Sequence, residues 1–160
     1  MTKLWVICFD DQREVLNNVV RDLSRLTEWL DIDECESAHE TLELIDDMDC
    51  KGVTPALIIS DHLMPGKNGV ELLTELYNDG RFPHLKKILL TGQATHKDTI
   101  QAINQAHVDF YFEKPWQAEK LQAMVRKLLT DYLFESGLYD KSYRTFADGE
   151  SMLKHMKSDE

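Results

Sequence analysis

The sequence predicts an α/β fold: a doubly wound, five-stranded parallel sheet with helices on both faces. Short apolar runs, such as residues 57–59 and 88–90, lack the polar alternation of half-exposed strands and indicate strands buried on both faces. Segments with apolar residues at helical spacing lie between these runs. Because strand and helix alternate five times, right-handed crossovers place helices on both sides of a parallel sheet.

Composition limits the classes of function. The 160 residues fit one domain with an appendage, and a chain of this length needs no disulfide or metal to fold. The net charge of -11 disfavours a broad nucleic-acid-binding face and docking on an anionic membrane. Cys8, Cys35 and Cys50 form no CxxC pair, which favours free thiols. With no signal sequence or membrane span, we expect a cytoplasmic protein without nucleic-acid or membrane partners.

The first half of the chain contains two strands and two helices. An apolar strand over residues 4–9 ends at Asp10 and Asp11. The helix that follows begins near Arg13 and carries an apolar stripe that continues to Leu26. Residues 30–35 alternate weakly and predict an edge strand. Ser37, with Glu40 three residues later, predicts a capping box at the start of the second helix.

The second half repeats the pattern three times. The central strand, residues 57–59, ends near Asp61, and a helix follows Gly69 and stops at residues 79–80. The strand at residues 88–90 ends at Thr91, and its helix begins near Lys97. The fifth strand is predicted at residues 108–112, followed by Lys114 and a helix that stops at Gly137.

Polar side chains stand at the carboxyl ends of four predicted strands: Asp10, Asp11, Asp61, Thr91 and Lys114. In a parallel sheet these ends share one edge, so the side chains can converge. Three carboxylates at about 4 Å repel by roughly 4 kcal/mol per pair at an effective dielectric of 20, and such a cluster needs a cation. Carboxylate oxygens suit Mg²⁺. With a lysine and a hydroxyl, the cluster has the parts that stabilise a phosphoryl group on a nucleophilic carboxylate.

Taken singly, these residues have ordinary alternatives. Asp10 and Asp11 could cap the first helix, and Lys114 could be a solvated surface lysine. Together they resemble the receiver domain of response regulators, the module that accepts phosphate from a histidine kinase. The matching residues are Asp10-Asp11, Asp61 with Met64-Pro65 and Gly69, Thr91, and Lys114-Pro115. The resemblance covers about residues 4–133 and implies a flavodoxin-like strand order of 2-1-3-4-5.

The resemblance also implies a role for each residue of the site. Asp61 would be the phosphoacceptor. Asp10, Asp11 and Asp61, with the backbone carbonyl of Leu63, would hold Mg²⁺. Lys114 would contact the phosphoryl oxygens.

Two further residues would form the switch. Thr91 would turn toward the phosphoryl group, and Tyr111 would move inward with it. The surface that changes would lie on the fourth helix, the fifth strand and the fifth helix, with candidates at Lys97, Ile100, Asn104, Tyr111 and Glu113. Leu63 and Gln93 occupy positions that tune dephosphorylation in this family, and His62 is interpreted as a solvent-facing loop residue.

These implications predict a signalling switch rather than an enzyme, apart from self-phosphorylation and autodephosphorylation on Asp61. The expected partners are a sensor histidine kinase or phosphotransfer protein, and an output protein that the sequence does not identify. One alternative is an unphosphorylated scaffold or dimerisation module. The other is a haloacid-dehalogenase-type phosphohydrolase, which would need a second Asp two residues after Asp61, where Leu63 stands.

The chain is predicted to divide into a receiver domain, residues 1–134, and a C-terminal extension, residues 135–160. Within the extension, Asp148 could cap a short helix with Met152, Leu153 and Met156 on one side. We expect this extension to pack on its own domain. The alternative is a helix that contacts a second copy in a homodimer or docks a partner.

Overall fold

The computed structural model describes residues 2–62, 69–92 and 97–158 and confirms the predicted fold. The strands are β1 (Leu4–Phe9), β2 (Leu30–Cys35), β3 (Leu57–Asp61), β4 (Lys86–Thr91) and β5 (Phe110–Glu113). All neighbouring strands pair in parallel. Their order is β2-β1-β3-β4-β5, as the resemblance implied.

Helices cover both faces of the sheet. They are α1 (Arg13–Asp22), α2 (Ala38–Cys50), α3 (Gly69–Asn78), α4 (Lys97–Ala106), α5 (Ala118–Glu135) and α6 (Gly149–Ser158). Val6 and Cys8 of β1 join the core cluster under α1 and α5, whereas Trp5 and Ile7 join the cluster under α2, α3 and α4. This alternation explains why β1 is apolar at every position. Within the described ranges, no helix has the length and apolar character that a bilayer span requires.

Helix ends follow the signals in the sequence. Ser37 Oγ accepts a hydrogen bond from the Glu40 amide (3.1 Å), as predicted. The Glu40 carboxylate reaches back one residue further than a capping box requires, to the Glu36 amide (3.0 Å). Gly137 ends α5 in the left-handed region with φ of 74°, which glycine adopts without steric penalty.

The start of the fifth strand differs from the prediction. We expected residues 108–112, but β5 begins at Phe110. His107 adopts φ of 54° and the Val108 amide donates to the Ile103 carbonyl (3.2 Å), so Val108 completes the end of α4. Apolar character alone did not distinguish a helix-terminating valine from a strand valine. The first helix also ends earlier than its stripe suggested, since a 3-10 turn covers Ser24–Leu26.

The residues after α5 pack against it. Tyr143 and Phe146 are buried in the same core cluster as α1 and α5. Arg126 Nε of α5 donates to the Phe146 carbonyl (2.7 Å), and the Phe146 ring lies 5.4 Å from the Trp29 ring between centroids. The segment before α6 is therefore held by apolar burial and by hydrogen bonds to α5.

The terminal helix α6 is present, but its apolar side faces solvent. The Ser151 amide donates to Asp148 Oδ2 (3.0 Å), which confirms Asp148 as the cap. His155 Nε2 lies 2.8 Å from Oδ1 of the buried Asp131, whereas Leu153 and Met156 are 59% and 48% exposed. The helix docks through polar residues, so the extension packs on its own domain as expected, whereas Leu153 and Met156 of the predicted apolar side face solvent.

Candidate functional site

The carboxyl edge of the sheet brings the predicted site residues together. Asp10 directly follows β1, and its amide donates to the Cys35 carbonyl (3.1 Å) at the end of β2. Asp61 and Thr91 are the last residues of β3 and β4. The Lys114 amide donates to the Thr91 carbonyl (2.8 Å), which aligns the end of β5 with that of β4. The backbone ladder itself therefore sets the relative positions of these residues.

Three carboxylates form a cluster at this edge. Asp10, Asp11 and Asp61 each offer an oxygen within 4.8 Å of the other two. Asp10 and Asp61 are buried, and Asp11 is exposed. One oxygen of Asp10, Oδ1, accepts from the Gln12 amide (2.8 Å). The other, Oδ2, is buried and has no hydrogen-bond partner among the described residues.

The unpartnered oxygen affects the protonation of Asp10. Burial, with the nearby charges of Asp61 and Asp11, raises the pKa of Asp10 to about 6. The Gln12 hydrogen bond and the Lys114 charge lower this pKa but do not offset burial. A buried carboxylate oxygen that lacks a partner, beside two other acids, is a position that a bound cation would stabilise.

Lys114 supplies the positive charge of the site. Its Nζ lies 2.8 Å from Asp61 Oδ1 and 3.7 Å from Asp10 Oδ2. The Lys114 side chain is 26% exposed, so the ammonium group lies at the mouth of the cluster rather than free in solvent. The interpretation of Lys114 as a solvated surface lysine is therefore wrong.

The residues present fit Mg²⁺. All three acidic side chains offer hard oxygen ligands, which Mg²⁺ prefers. Three carboxylates and one ammonium leave two negative charges uncompensated, and one divalent cation would neutralise them. Leu63, whose carbonyl the resemblance adds to this set, lies outside the described residues, as do Met64, Pro65 and Gln93.

Sequence reasoning missed His62. We expected a solvent-facing loop residue, but His62 is half-buried and its Nδ1 lies 3.3 Å from Thr91 Oγ1. Burial lowers the pKa of His62, although the charge of Asp61 opposes this. One signal for such a role was the position of His62 directly after the strand-end Asp61.

The predicted switch surface is exposed. Ile100 on α4 and Tyr111 on β5 are 47% and 42% exposed. The remaining candidates, Lys97, Asn104 and Glu113, are exposed as well. The α4 and β5 side of the molecule therefore presents a mixed apolar and polar surface that a partner could contact.

Sequence comparisons with known proteins indicate one family. A sequence model of the response regulator receiver domain family matches residues 6–126. The chain is similar to response regulator Rre1 of Synechocystis, with 40% identity over 75 residues that make up 47% of this chain and 32% of Rre1. It is also similar to the chemotaxis protein CheY of Pseudomonas aeruginosa, with 29% identity over 120 residues, 75% of this chain and 89% of that protein.

A solved structure shows the same fold. The CheY-like receiver domain protein of Methanospirillum hungatei superposes with a TM-score of 0.71 at 23% identity, over 84% of this chain and 99% of that chain. The chain spans about a third of the length of Rre1 and most of the length of the Pseudomonas CheY.

Proposed function

Because this chain belongs to the response regulator receiver domain family, we propose that it is a signalling switch controlled by phosphorylation of Asp61. The phosphoryl donor would be a phosphohistidine on a sensor histidine kinase or a phosphotransfer protein. The observation that supports the proposal is the environment of Asp61. This residue is buried at the end of β3, forms a salt bridge with Lys114 (2.8 Å) and belongs to the three-carboxylate cluster.

The chemistry is one phosphoryl transfer to the chain, followed by hydrolysis of the resulting acyl phosphate. A carboxylate oxygen of Asp61 forms a bond to phosphorus while the bond between phosphorus and the donor histidine nitrogen breaks, and that nitrogen keeps the electron pair. Later, water attacks the phosphorus, inorganic phosphate leaves, and the Asp61 carboxylate is restored. Receiver domains generally act as signalling modules, and beyond this self-phosphorylation and autodephosphorylation we propose no turnover of other substrates.

The acidic cluster would hold Mg²⁺ through Asp10, Asp11 and Asp61, together with the backbone carbonyl of Leu63. The bound cation would supply positive charge for the phosphoryl oxygens. Asp10 would thereby gain a partner for its buried Oδ2. Lys114 lies near enough to Asp61 for its ammonium group to move onto the incoming phosphoryl oxygens while it stays at the site mouth.

Switching would follow from the contacts that the phosphoryl group adds. Thr91 would turn its hydroxyl toward the phosphoryl group, and Tyr111 would move from its exposed position into the space that Thr91 leaves. The state in which Thr91 and Lys114 contact the phosphoryl group gains population. An output protein would bind the α4 and β5 surface in that state.

We assign residues 1–134 to the receiver domain and residues 135–160 to an extension. The family match ends at residue 126, within α5, and α5 ends at Glu135. The extension then packs along α5. We place the protein in the cytoplasm, where histidine kinases present their phosphohistidine.

The test is the mass of the intact protein after incubation with Mg²⁺ and acetyl phosphate. We expect one phosphoryl adduct on the wild type. We expect none on Asp61→Asn or Asp61→Ala, and an undiminished adduct on Asp47→Asn, which changes an exposed acid of α2. Omission of Mg²⁺ with excess chelator should abolish the adduct.

Two outcomes would contradict the proposal. An adduct that persists on both Asp61 variants would place the phosphoacceptor elsewhere. A wild type that takes no phosphoryl group and does not bind BeF₃⁻, a stable mimic of the phosphoryl group, would indicate an unphosphorylated scaffold. Binding of BeF₃⁻ without a visible adduct would instead show a competent site whose phosphoryl group is lost quickly.

A further inference from the structure

The contact between His62 and Thr91 joins a residue beside the phosphoacceptor to the proposed switch residue. His62 Nδ1 lies 3.3 Å from Thr91 Oγ1, and Thr91 is buried. The His62 amide is fixed from two sides, because it contacts both the Leu90 carbonyl (3.1 Å) and Asp61 Oδ1 (2.8 Å). The position of the imidazole is therefore set by a hydrogen-bonded backbone at the end of the sheet.

The surroundings of the ring favour one direction for this hydrogen bond. His62 lines a groove between α3 and α4 together with two acids, Glu71 and Glu75, and the polar residues Thr74, Asn78 and Gln105. Carboxylates accept hydrogen bonds and do not donate them, which favours a neutral imidazole with its proton on the outer nitrogen, Nε2. The inner nitrogen, Nδ1, is then an acceptor, and the Thr91 hydroxyl is the donor.

We propose that His62 is a positioning residue that holds the Thr91 hydroxyl in the resting state and so opposes phosphorylation. This inference rests on the proposed function. A threonine hydroxyl has one proton to donate. It cannot donate to His62 and to a phosphoryl oxygen at the same time, so the phosphorylated state requires the His62 contact to break.

Two substitutions at position 62 separate the hydrogen bond from the bulk of the side chain. His62→Phe keeps a planar ring but removes the acceptor nitrogen. His62→Asn is smaller but places an amide oxygen near the position of Nδ1, so it retains the acceptor. If the hydrogen bond matters, Asn should behave like the wild type and Phe should not. If bulk matters, both variants should depart from the wild type, since Phe is larger than His and Asn is smaller.

The first measurement uses the full chain without phosphoryl donor. Three-bond NMR couplings to the Thr91 methyl group report the rotamer populations of that side chain. We expect a higher population of the resting Thr91 rotamer in the wild type and in His62→Asn than in His62→Phe. This result does not depend on phosphorylation, so it tests the contact even if the proposed function fails.

The second measurement is the rate of phosphorylation by acetyl phosphate at fixed Mg²⁺. Loss of one neutral hydrogen bond predicts a rate about two- to tenfold higher in His62→Phe and a rate within about twofold of the wild type in His62→Asn. In a Thr91→Val background, which removes the hydroxyl and keeps the shape, His62→Phe should cause no further change.

Three results would overturn the inference. One is a resting Thr91 rotamer that is populated in His62→Phe as highly as in the wild type. Another is a phosphorylation rate in His62→Phe equal to or below that of the wild type, while the wild type forms its adduct. The third is an equal acceleration by His62→Phe in the Thr91→Val background, because the effect would then not pass through the hydroxyl. Absence of an adduct from every variant would count against the proposed function, and the rotamer measurement would still decide the role of His62.

Discussion

Gly69 packs directly on the backbone of Asp61. A β-carbon at Gly69 would lie 1.6 Å from the Asp61 carbonyl oxygen and 2.4 Å from Ser60 Oγ. The Gly69 amide also donates to the His62 carbonyl (3.2 Å). The start of α3 therefore contacts the end of β3 too closely for any side chain, and this contact fixes the backbone that carries the proposed phosphoacceptor.

We expect Gly69→Ala to destabilise the protein by more than about 3 kcal/mol, since backbone atoms must move to admit the methyl group. Urea denaturation measures this change. Gly80→Ala is the matched control, because a β-carbon at Gly80 meets nothing within 4 Å, and we expect its effect to stay within about 1 kcal/mol. Equal stability of the two variants would contradict a close contact between Gly69 and the Asp61 backbone.

The raised pKa of Asp10 predicts how stability depends on pH in the metal-free protein. The pKa is about 6 in the folded state against 3.8 ordinarily, so between these values the folded state binds more protons than the unfolded state. The free energy of unfolding should therefore fall as pH rises from about 4 to 6. At 1.36 kcal/mol per unit, the loss is on the order of 3 kcal/mol.

Denaturation in the presence of a chelator checks this prediction. Asp10→Asn has no titrating group at this position, so its free energy of unfolding should not show this fall between pH 4 and 6. The difference between the two curves isolates Asp10 from the other acids. Addition of Mg²⁺ above pH 6 should restore stability to the wild type more than to Asp10→Asn. A difference curve that is flat from pH 4 to 6 would contradict the prediction.

Removal of Lys114 should strengthen cation binding while it impairs phosphorylation. The ammonium group lies 2.8 Å from Asp61 and 3.7 Å from Asp10, so it repels a divalent cation bound to the same carboxylates. We expect Lys114→Met to bind Mg²⁺ at least about tenfold more tightly and to lose most phosphorylation by acetyl phosphate. Titration calorimetry measures the affinity.

Lys120→Met, at an exposed position of α5, is the control for the change in net charge. This variant should leave the Mg²⁺ affinity and the extent of phosphorylation near the wild-type values. Weaker Mg²⁺ binding in Lys114→Met would indicate that Lys114 organises the carboxylates rather than competing with the cation.

A polar contact between His155 and Asp131 helps to attach α6 to α5. His155 Nε2 lies 2.8 Å from Asp131 Oδ1, and the His155 ring stacks on Phe134 with centroids 4.9 Å apart. We expect His155→Ala to destabilise the protein by about 1–2 kcal/mol and to speed amide exchange throughout α6. Leu153→Ala, on the exposed side of the same helix, should change stability by less than about 0.5 kcal/mol. Equal exchange rates in the two variants would show that His155 does not anchor the helix.

Most of the fold and site prediction came from two features of the sequence, the apolar runs and the polar residues at the ends of strands. Strands buried on both faces consist of consecutive apolar residues, so β1, β3 and β4 were readily located. Because parallel strands end at one edge, Asp10, Asp61 and Lys114 could be placed together without knowledge of any distance.

Features that depend on tertiary contacts were not predictable in this way. Val108 is as apolar as a strand residue, but the left-handed His107 turns it back onto α4. The outward orientation of Leu153 accompanies the contact of His155 with the buried Asp131, a partner 24 residues away that no local pattern specifies. The contact of His62 with Thr91 likewise joins two strands, and its geometry depends on a side-chain rotamer.

The sheet ends in two edges of unlike character. β2 pairs with β1 alone in the described sheet and exposes Asp31 and Asp33 along its length, and charges of this kind repel an incoming strand. β5 pairs with β4 and carries Phe110, Tyr111 and Phe112 before its single acid, Glu113. If the sheets of two molecules pair edge to edge during misfolding or aggregation, we expect them to pair through β5. The short length of β5 is then the main feature that limits such pairing.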